Sequence, residues 1–314
     1  MVFALLMASI ASLIGWSSGP DALPACAPPC IQRAEHVFGV ANLAYKKIPD
    51  VNKQFIHANI DPTALPFAVT GPSDTRAICI SAGRDRVAAM TIAGTDSVGQ
   101  WEVNYGTITS QHHDYNAIAV HAALVLLEQW VVVHNFALKG AKVLYVTGHS
   151  QGGGLAEIVA RVLLALKTDK ITDVHRMYNI ANQTKKPLLG AKYLFSTNFA
   201  DVERIVLVAI SAPQWLPANE SAYIKNSLQV TSVFTGQKGD PVMYCTARPL
   251  VCRAPHDTTQ FVTGSGYNPH CLDSMKQRAN AHKIRWSMSP KHEKWTIGFL
   301  SNANELLPVL PITC

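Results

Sequence analysis

Residues 142–166 read KVLYVTGHSQGGGLAEIVARVLLAL: an apolar run, a turn holding one serine and four glycines, then an apolar run with helical spacing. Two chemistries use such a turn. One is nucleophilic. A serine hydroxyl attacks poorly until a histidine removes its proton, and a sharp strand-to-helix turn lifts that hydroxyl above the sheet edge, within reach of the histidine. The positions two before and two after the serine must then be small, as Gly148 and Gly152 are around Ser150. The helix that follows aims unpaired N–H groups at any oxyanion forming there. The other chemistry is phosphate binding, because residues 147–154 also spell T-G-x-x-x-G-x-G, a glycine pattern that cradles a dinucleotide pyrophosphate.

The dinucleotide spelling resembles that of short-chain dehydrogenases, which also need a tyrosine with a lysine four residues later as their acid–base pair. None of the nine tyrosines has lysine at that offset. The match is a glycine pattern without its chemistry, and an NAD-binding protein is the third-ranked reading.

The turn needs a sheet beneath it. Residues 76–81 and 86–92 are strand-like runs separated by AGRD, which predicts a hairpin. Residues 118–137 have helical apolar spacing long enough for a membrane span, but His121, Glu128, Gln129 and His134 point to a buried amphipathic helix. Residues 142–146, 204–210 (RIVLVAI) and 229–235 (QVTSVFT) read as further strands, with a helix from about Gly152. Strands alternating with helices predict an α/β fold with a mainly parallel central sheet flanked by helices. Residues 167–203 are far longer than the usual connection of about 4–6 residues. They carry Lys167, Lys170, Arg176, Lys185, Lys186 and Lys192. This insertion, with room for a helix of its own, is expected to be a solvated surface excursion rather than a lid or a partner surface.

The chain is 48% hydrophobic and 15% charged, against a usual charged share of about 25%, so a large interior is expected. Its net charge of +6 is spread along the chain. No nucleic-acid-binding motif is present, and no nucleic-acid partner is expected; a mildly basic surface suits anionic membranes. Residues 1–32 contain an apolar stretch ahead of the first basic residue, Arg33. They read as an export signal or as an apolar segment packed on the core, with residues 33–314 as a single domain. A secreted or cell-envelope location is the expectation, cytoplasmic the alternative. Among seven cysteines, Cys26 with Cys30, Cys245 with Cys252 and Cys271 with Cys314 are candidate pairs. Cys79, in a strand-like run, is left as a buried thiol. There is no C-x-x-C pair, and His112, His113 and Asp114 fit a solvated loop, so neither a metal nor a cofactor is expected.

Three stretches carry a family resemblance. VAAMTIAGTDSVGQW (87–101) resembles the strand and oxyanion loop of the fungal-type, class-three triacylglycerol lipases of the α/β-hydrolase fold. TGQKGDPVMY (235–244) resembles that family's Asp-Pro-Val after a strand, and AISAP (209–213) resembles the end of the strand between serine and aspartate. The likeness runs over about residues 76–282 and keeps the family's order. The chain departs from the pattern with Ala93 in place of an arginine, Gln151 in place of the common leucine, Asn104 in place of an acidic residue, and the long insertion.

The resemblance implies a serine ester hydrolase of lipase or phospholipase type, acting on lipid esters at a membrane or lipid-droplet surface. Ser150 is the expected nucleophile and Asp240 the acid that orients the base. The base must follow Asp240. PHCLDSM (269–275) favours His270, and AHKIRW (281–286) makes His282 the runner-up. Oxyanion donors are expected from Thr95 and Gln151, a lid within residues 97–116, and a His149 ring that points elsewhere on the turn. A second reading from another class is a noncatalytic α/β-hydrolase-like binding protein that keeps the turn without assembling the triad.

Overall fold

A computed structural model of the 314-residue chain describes residues 31–33, 41–51, 65–83, 86–96, 100, 103–104, 115–184, 187–197, 199–237, 240, 242, 259–261, 270, 285–287, 296–301 and 305–308. The core is a seven-stranded sheet. Strand β2 (Pro66–Thr70) pairs antiparallel with β3 (Arg76–Ile80), which pairs antiparallel with β4 (Val87–Ile92). From there β5 (Val143–His149), β6 (Arg204–Ile210), β7 (Val230–Gln237) and β8 (Thr259–Phe261) add in sequence order, all parallel. A separate antiparallel sheet joins β1 (Ile31–Arg33) to β9 (Arg285–Ser287), β10 (Thr296–Ser301) and β11 (Glu305–Pro308). The expected hairpin is the β3–β4 pair, and the mainly parallel sheet flanked by helices is as expected.

Strands buried on both faces need apolar residues at every position, not at alternate ones. Strands β4 and β5 are buried along their whole length, and β6 is buried from Ile205 to Ile210. With a side-chain period of two, Met90, Leu144, Val146 and Leu207 join the helix-side core, while Ala89, Tyr145, Val206 and Val208 are buried on the opposite face. Cys79 is a buried free thiol in β3, as expected. The other cysteines lie outside the described residues.

The helix layer includes α1 (Ala117–Glu128), α2 (Gln151–Lys167), α3 (Ile171–Asn182), α4 (Ala191–Phe195) and α5 (Ala218–Asn226). Asn116 caps α1 by accepting the Ala119 N–H at 3.0 Å. The single helix expected over 118–137 instead changes winding after Glu128, through a π turn (Gln129–Val133) and a 3-10 turn (Asn135–Leu138). At that change the Gln129 carboxamide bonds both the N–H and the C=O of Thr70 on edge strand β2. Among the described residues, no helix is long and apolar enough to cross a membrane.

The insertion differs from expectation. Helix α3 is not a solvated excursion: Val174, Met177, Tyr178 and Ala181, at helical spacing, are buried in the core, and α3 packs on α1 and α2. Two charged groups inside the protein tie the insertion down. Glu128, at the end of α1, accepts the Tyr178 hydroxyl at 2.6 Å and the N–H groups of Leu189 and Gly190 at 3.0 and 2.9 Å. Arg161, inside α2, donates to Asp173 of α3 and to Glu220 of α5, both at 2.5 Å, beneath the Tyr223 ring. Burial opposes the charge on Arg161, but its hydrogen bonds and the two carboxylates outweigh that and raise its pKa.

Removing one partner of a buried ion pair strands the other, at about 3–5 kcal/mol. The Arg161 side chain is 3% exposed, whereas Arg176, which also contacts Glu220, is 44% exposed. Arg161→Met should therefore lower the unfolding free energy by about 3 kcal/mol, and Arg176→Met by under about 1 kcal/mol. Urea unfolding of both variants checks the ranking.

Candidate active site

The carboxyl ends of β4, β5 and β7 lie along one edge of the sheet, the edge at which open α/β sheets bind their ligands. The register sets Ile92 beside Gly148, His149 beside Ile210, and Ile210 beside Thr235. At this edge β5 turns into α2 through Ser150, whose φ of 56° and ψ of −130° lie in a region non-glycine residues seldom occupy. The Ser150 N–H donates to the Ile210 carbonyl at 2.8 Å, and its own carbonyl accepts the Gly153 N–H at 2.9 Å. A Cβ at Gly148 would run into the backbone of Gly152, and one at Gly152 into the carbonyls of Ile92 and Ala93. The two glycines are thus required by backbone-on-backbone contact. The strain at Ser150, of the order of 1–3 kcal/mol, persists because its surroundings over-determine it.

Asp240 follows the end of β7 and is buried. Its Oδ1 accepts the Val242 N–H at 3.0 Å, and both carboxylate oxygens lie 3.0 Å from His270 Nδ1. His270 Nε2 lies 2.8 Å from Ser150 Oγ. The Asp240 side chain is 0% exposed and that of His270 26%, so the acid is shut away while the imidazole stays open to an incoming molecule. The structure thus brings Ser150, His270 and Asp240 into one hydrogen-bonded chain; His282 lies outside the described residues.

Thr95 follows the end of β4. Its Oγ1 accepts the Asn104 amide at 2.9 Å, which leaves the hydroxyl hydrogen free to donate elsewhere. Gln151 opens α2, so its N–H has no intrahelical acceptor. Its side chain also acts, which the sequence did not signal: Nε2 donates to the Gln100 carbonyl at 2.7 Å. The Gln100 carboxamide is buried; it accepts the Asp96 N–H at 2.6 Å and donates to the Asp74 carbonyl at 2.8 Å. Asp96 in turn pairs with Arg76. The loop after β4 thus has an ion pair although Ala93 stands where the family resemblance led one to expect arginine. Of the expected lid, residues 97–99, 101–102 and 105–114 lie outside the described residues, as does the 112–114 group; Gln100, Val103 and Asn116 are buried.

His149 corrects another expectation. Its ring does not point elsewhere on the turn: Nε2 lies 2.9 Å from the His270 carbonyl oxygen and Nδ1 3.0 Å from the Tyr45 hydroxyl. Burial, with a smaller contribution from neighbouring His270, lowers its pKa to about 4. Tyr45, also buried, is pushed up to about 12. No motif singled out Tyr45, which is distant in sequence from every residue it meets here.

No family model matches the chain, and no curated protein matches it. Solved structures similar to its fold include lipases from fungi, the group whose motifs the sequence resembles. The lipase from Rhizopus microsporus var. chinensis is 18% identical, with 72% of this chain and 74% of that chain covered at a TM-score of 0.41. A lipase from Yarrowia lipolytica is 13% identical, with 66% and 71% covered at 0.36. A triacylglycerol lipase from Penicillium expansum is 18% identical, with 66% and 72% covered at 0.34. These are loose likenesses of fold; the chemistry available to the chain rests on its own side chains.

The lowered pKa of His149 makes stability depend on pH. Between its unfolded value of 6.5 and its folded value of about 4, the unfolded chain holds a proton that the folded chain does not, so stability falls as pH falls through that window. From pH 7.5 to 5.0 the loss should be about 2 kcal/mol. Urea unfolding at the two pH values, repeated on His149→Gln, should show the variant losing less by that amount.

Proposed function

We propose that the protein is a serine ester hydrolase acting on lipid esters, with Ser150 as nucleophile, His270 as base and Asp240 as the acid that orients it. One observation carries the proposal: the unbroken contact from Ser150 Oγ to His270 Nε2 and from His270 Nδ1 to the buried Asp240 carboxylate. Hydrogen bonds assign the roles. Asp240 accepts the Nδ1–H, which leaves Nε2 as the unprotonated nitrogen facing the hydroxyl. Ser150 Oγ attacks the ester carbonyl carbon as Nε2 takes its proton. The carbonyl oxygen becomes an oxyanion, to which the Gln151 N–H and the Thr95 N–H and hydroxyl donate. Collapse expels the alcohol, protonated by His270, and leaves an acyl-serine. A water molecule, deprotonated by His270, releases the acid and restores Ser150. The reaction balances without a metal or an organic cofactor.

The fluorophosphonate probe reacts with an activated serine and not with an ordinary one. Wild type should label, and Ser150→Ala should neither label nor hydrolyse esters, while keeping its thermal midpoint. His270→Ala should lose on the order of 10⁴-fold in turnover. A folded wild type that does not label, and cleaves neither emulsified triacylglycerols nor soluble esters, would leave a noncatalytic binding protein in its place.

Thr95→Val keeps the shape and the backbone donor but removes the hydroxyl held by Asn104. Loss of one oxyanion donor costs about 100- to 1,000-fold in turnover, so kcat should fall with KM little changed. Thr95→Ser should retain most activity. Steady-state kinetics on a soluble ester checks both.

A further inference from the structure

The Ser150–His270–Asp240 chain holds the imidazole through its ring. A second set of contacts holds it through its backbone and joins it to the loop after β4. The Gly94 N–H donates to the Tyr45 hydroxyl oxygen at 2.9 Å. The same oxygen lies 3.0 Å from His149 Nδ1, and His149 Nε2 lies 2.9 Å from the His270 carbonyl oxygen.

The two ends of the path fix the directions. The His270 carbonyl can only accept, so His149 Nε2 carries the imidazole hydrogen and donates to it; in the neutral ring Nδ1 is then unprotonated and accepts the Tyr45 hydroxyl hydrogen, while the Tyr45 oxygen accepts the Gly94 N–H. All the polar atoms along this path are matched, without a clash of like groups. Burial holds both rings in the neutral form this requires, with His149 lowered to about 4 and Tyr45 raised to about 12.

We propose that Tyr45 and His149 are positioning residues that couple the oxyanion loop at Gly94 to the backbone of the base at His270, so that the donor side and the proton-accepting side of the site are set as one unit. The inference rests on the hydrolase reading above and adds to it two residues that touch neither the reacting serine oxygen nor the carboxylate of Asp240. Crowding at Gly94 supports it independently. A Cβ there would collide with the Tyr45 hydroxyl and would come within 2.8 Å of the His149 carbonyl and 3.1 Å of Ser150 Cβ. The hydroxyl therefore sits where any side chain at position 94 would have to be, and the loop backbone is pressed against the serine. The His149 and His270 rings lie 4.9 Å apart at 33°, so loss of the bridge frees the catalytic imidazole to tilt.

The alternative is a polar pair that only satisfies itself in the interior. Such a pair would change stability and the fraction of folded enzyme, but not the turnover of each correctly folded site. The experiment is a double-mutant cycle of Tyr45→Phe and His149→Leu, with His149→Gln as the conservative variant. Active sites are counted by fluorophosphonate titration, kcat and KM are measured on a soluble 4-nitrophenyl ester, and thermal midpoints are recorded. Turnover per titrated site should fall about tenfold in each single variant, as for loss of one neutral hydrogen bond from the transition state, with KM unchanged. The double variant should be little worse than either single one, because both break the same bridge. His149→Gln, whose amide can still reach the His270 carbonyl, should recover part of what His149→Leu loses. Unchanged turnover per titrated site in Tyr45→Phe, or losses that multiply in the double variant, would overturn the inference. Failure of the wild type itself to react with the probe would instead overturn the hydrolase reading.

Discussion

Between Gly148 and the backbone of Gly152 there is no room for a Cβ, and none between Gly152 and the carbonyls of Ile92 and Ala93. This backbone-on-backbone contact is the constraint on which the site depends. It sets how closely α2 can approach the ends of β4 and β5, and so how near the first N–H groups of α2 come to the loop that follows β4. The chain passes from strand to helix within this space through the unfavourable backbone angles of Ser150. The hydroxyl is presented as a by-product of that passage, at a sheet edge to which β7 delivers Asp240.

A chain with few charges places several of them indoors. Glu128 and Arg161 are almost fully enclosed, yet each meets several partners: Arg161 meets carboxylates on α3 and α5, and Glu128 meets Tyr178 of α3 and the backbone just ahead of α4. Such groups add little net stability over a well-packed apolar alternative. What they define is arrangement. An apolar stripe on α3 specifies which face is buried but not, by itself, its partners, whereas Asp173 meets Arg161, and Tyr178 meets Glu128, in one defined register. Because α2 starts directly after Ser150, fixing α3 and α5 against α2 also fixes the base of the turn.

The sequence was legible where one face or one turn dictated residue type. Strands β3 to β6 stood out because burial on both sides demands nearly unbroken apolar runs, and the glycine turn because nothing larger fits. Strand β2 was missed: PFAVT opens with proline and is half-exposed, so it lacks that signal. The end of α1 was misjudged because a change from α to π winding leaves the apolar spacing nearly unaltered. The insertion was read from its lysines, although Val174, Met177, Tyr178 and Ala181 already spelled a buried helical stripe. Tyr45 and Gln100 had no signal at all. Their partners are peptide groups and a histidine far away in sequence, and a hydrogen bond to a peptide group leaves no trace in residue pattern.

At the margin of the large sheet, Gln129 reaches from the turn after α1 to both peptide groups of Thr70. A carboxamide is chemically a detached peptide unit, so at this point β2 is already paired with something that mimics a neighbouring strand. Open strand margins recruit other chains and seed aggregation. This one is stopped by a single side chain that donates and accepts as a strand would but has no strand behind it, so pairing ends there instead of propagating. The widened turn that carries Gln129 thus has a bearing on colloidal behaviour: it lets a protein built around an apolar sheet meet crowded surroundings without offering Thr70 as a template.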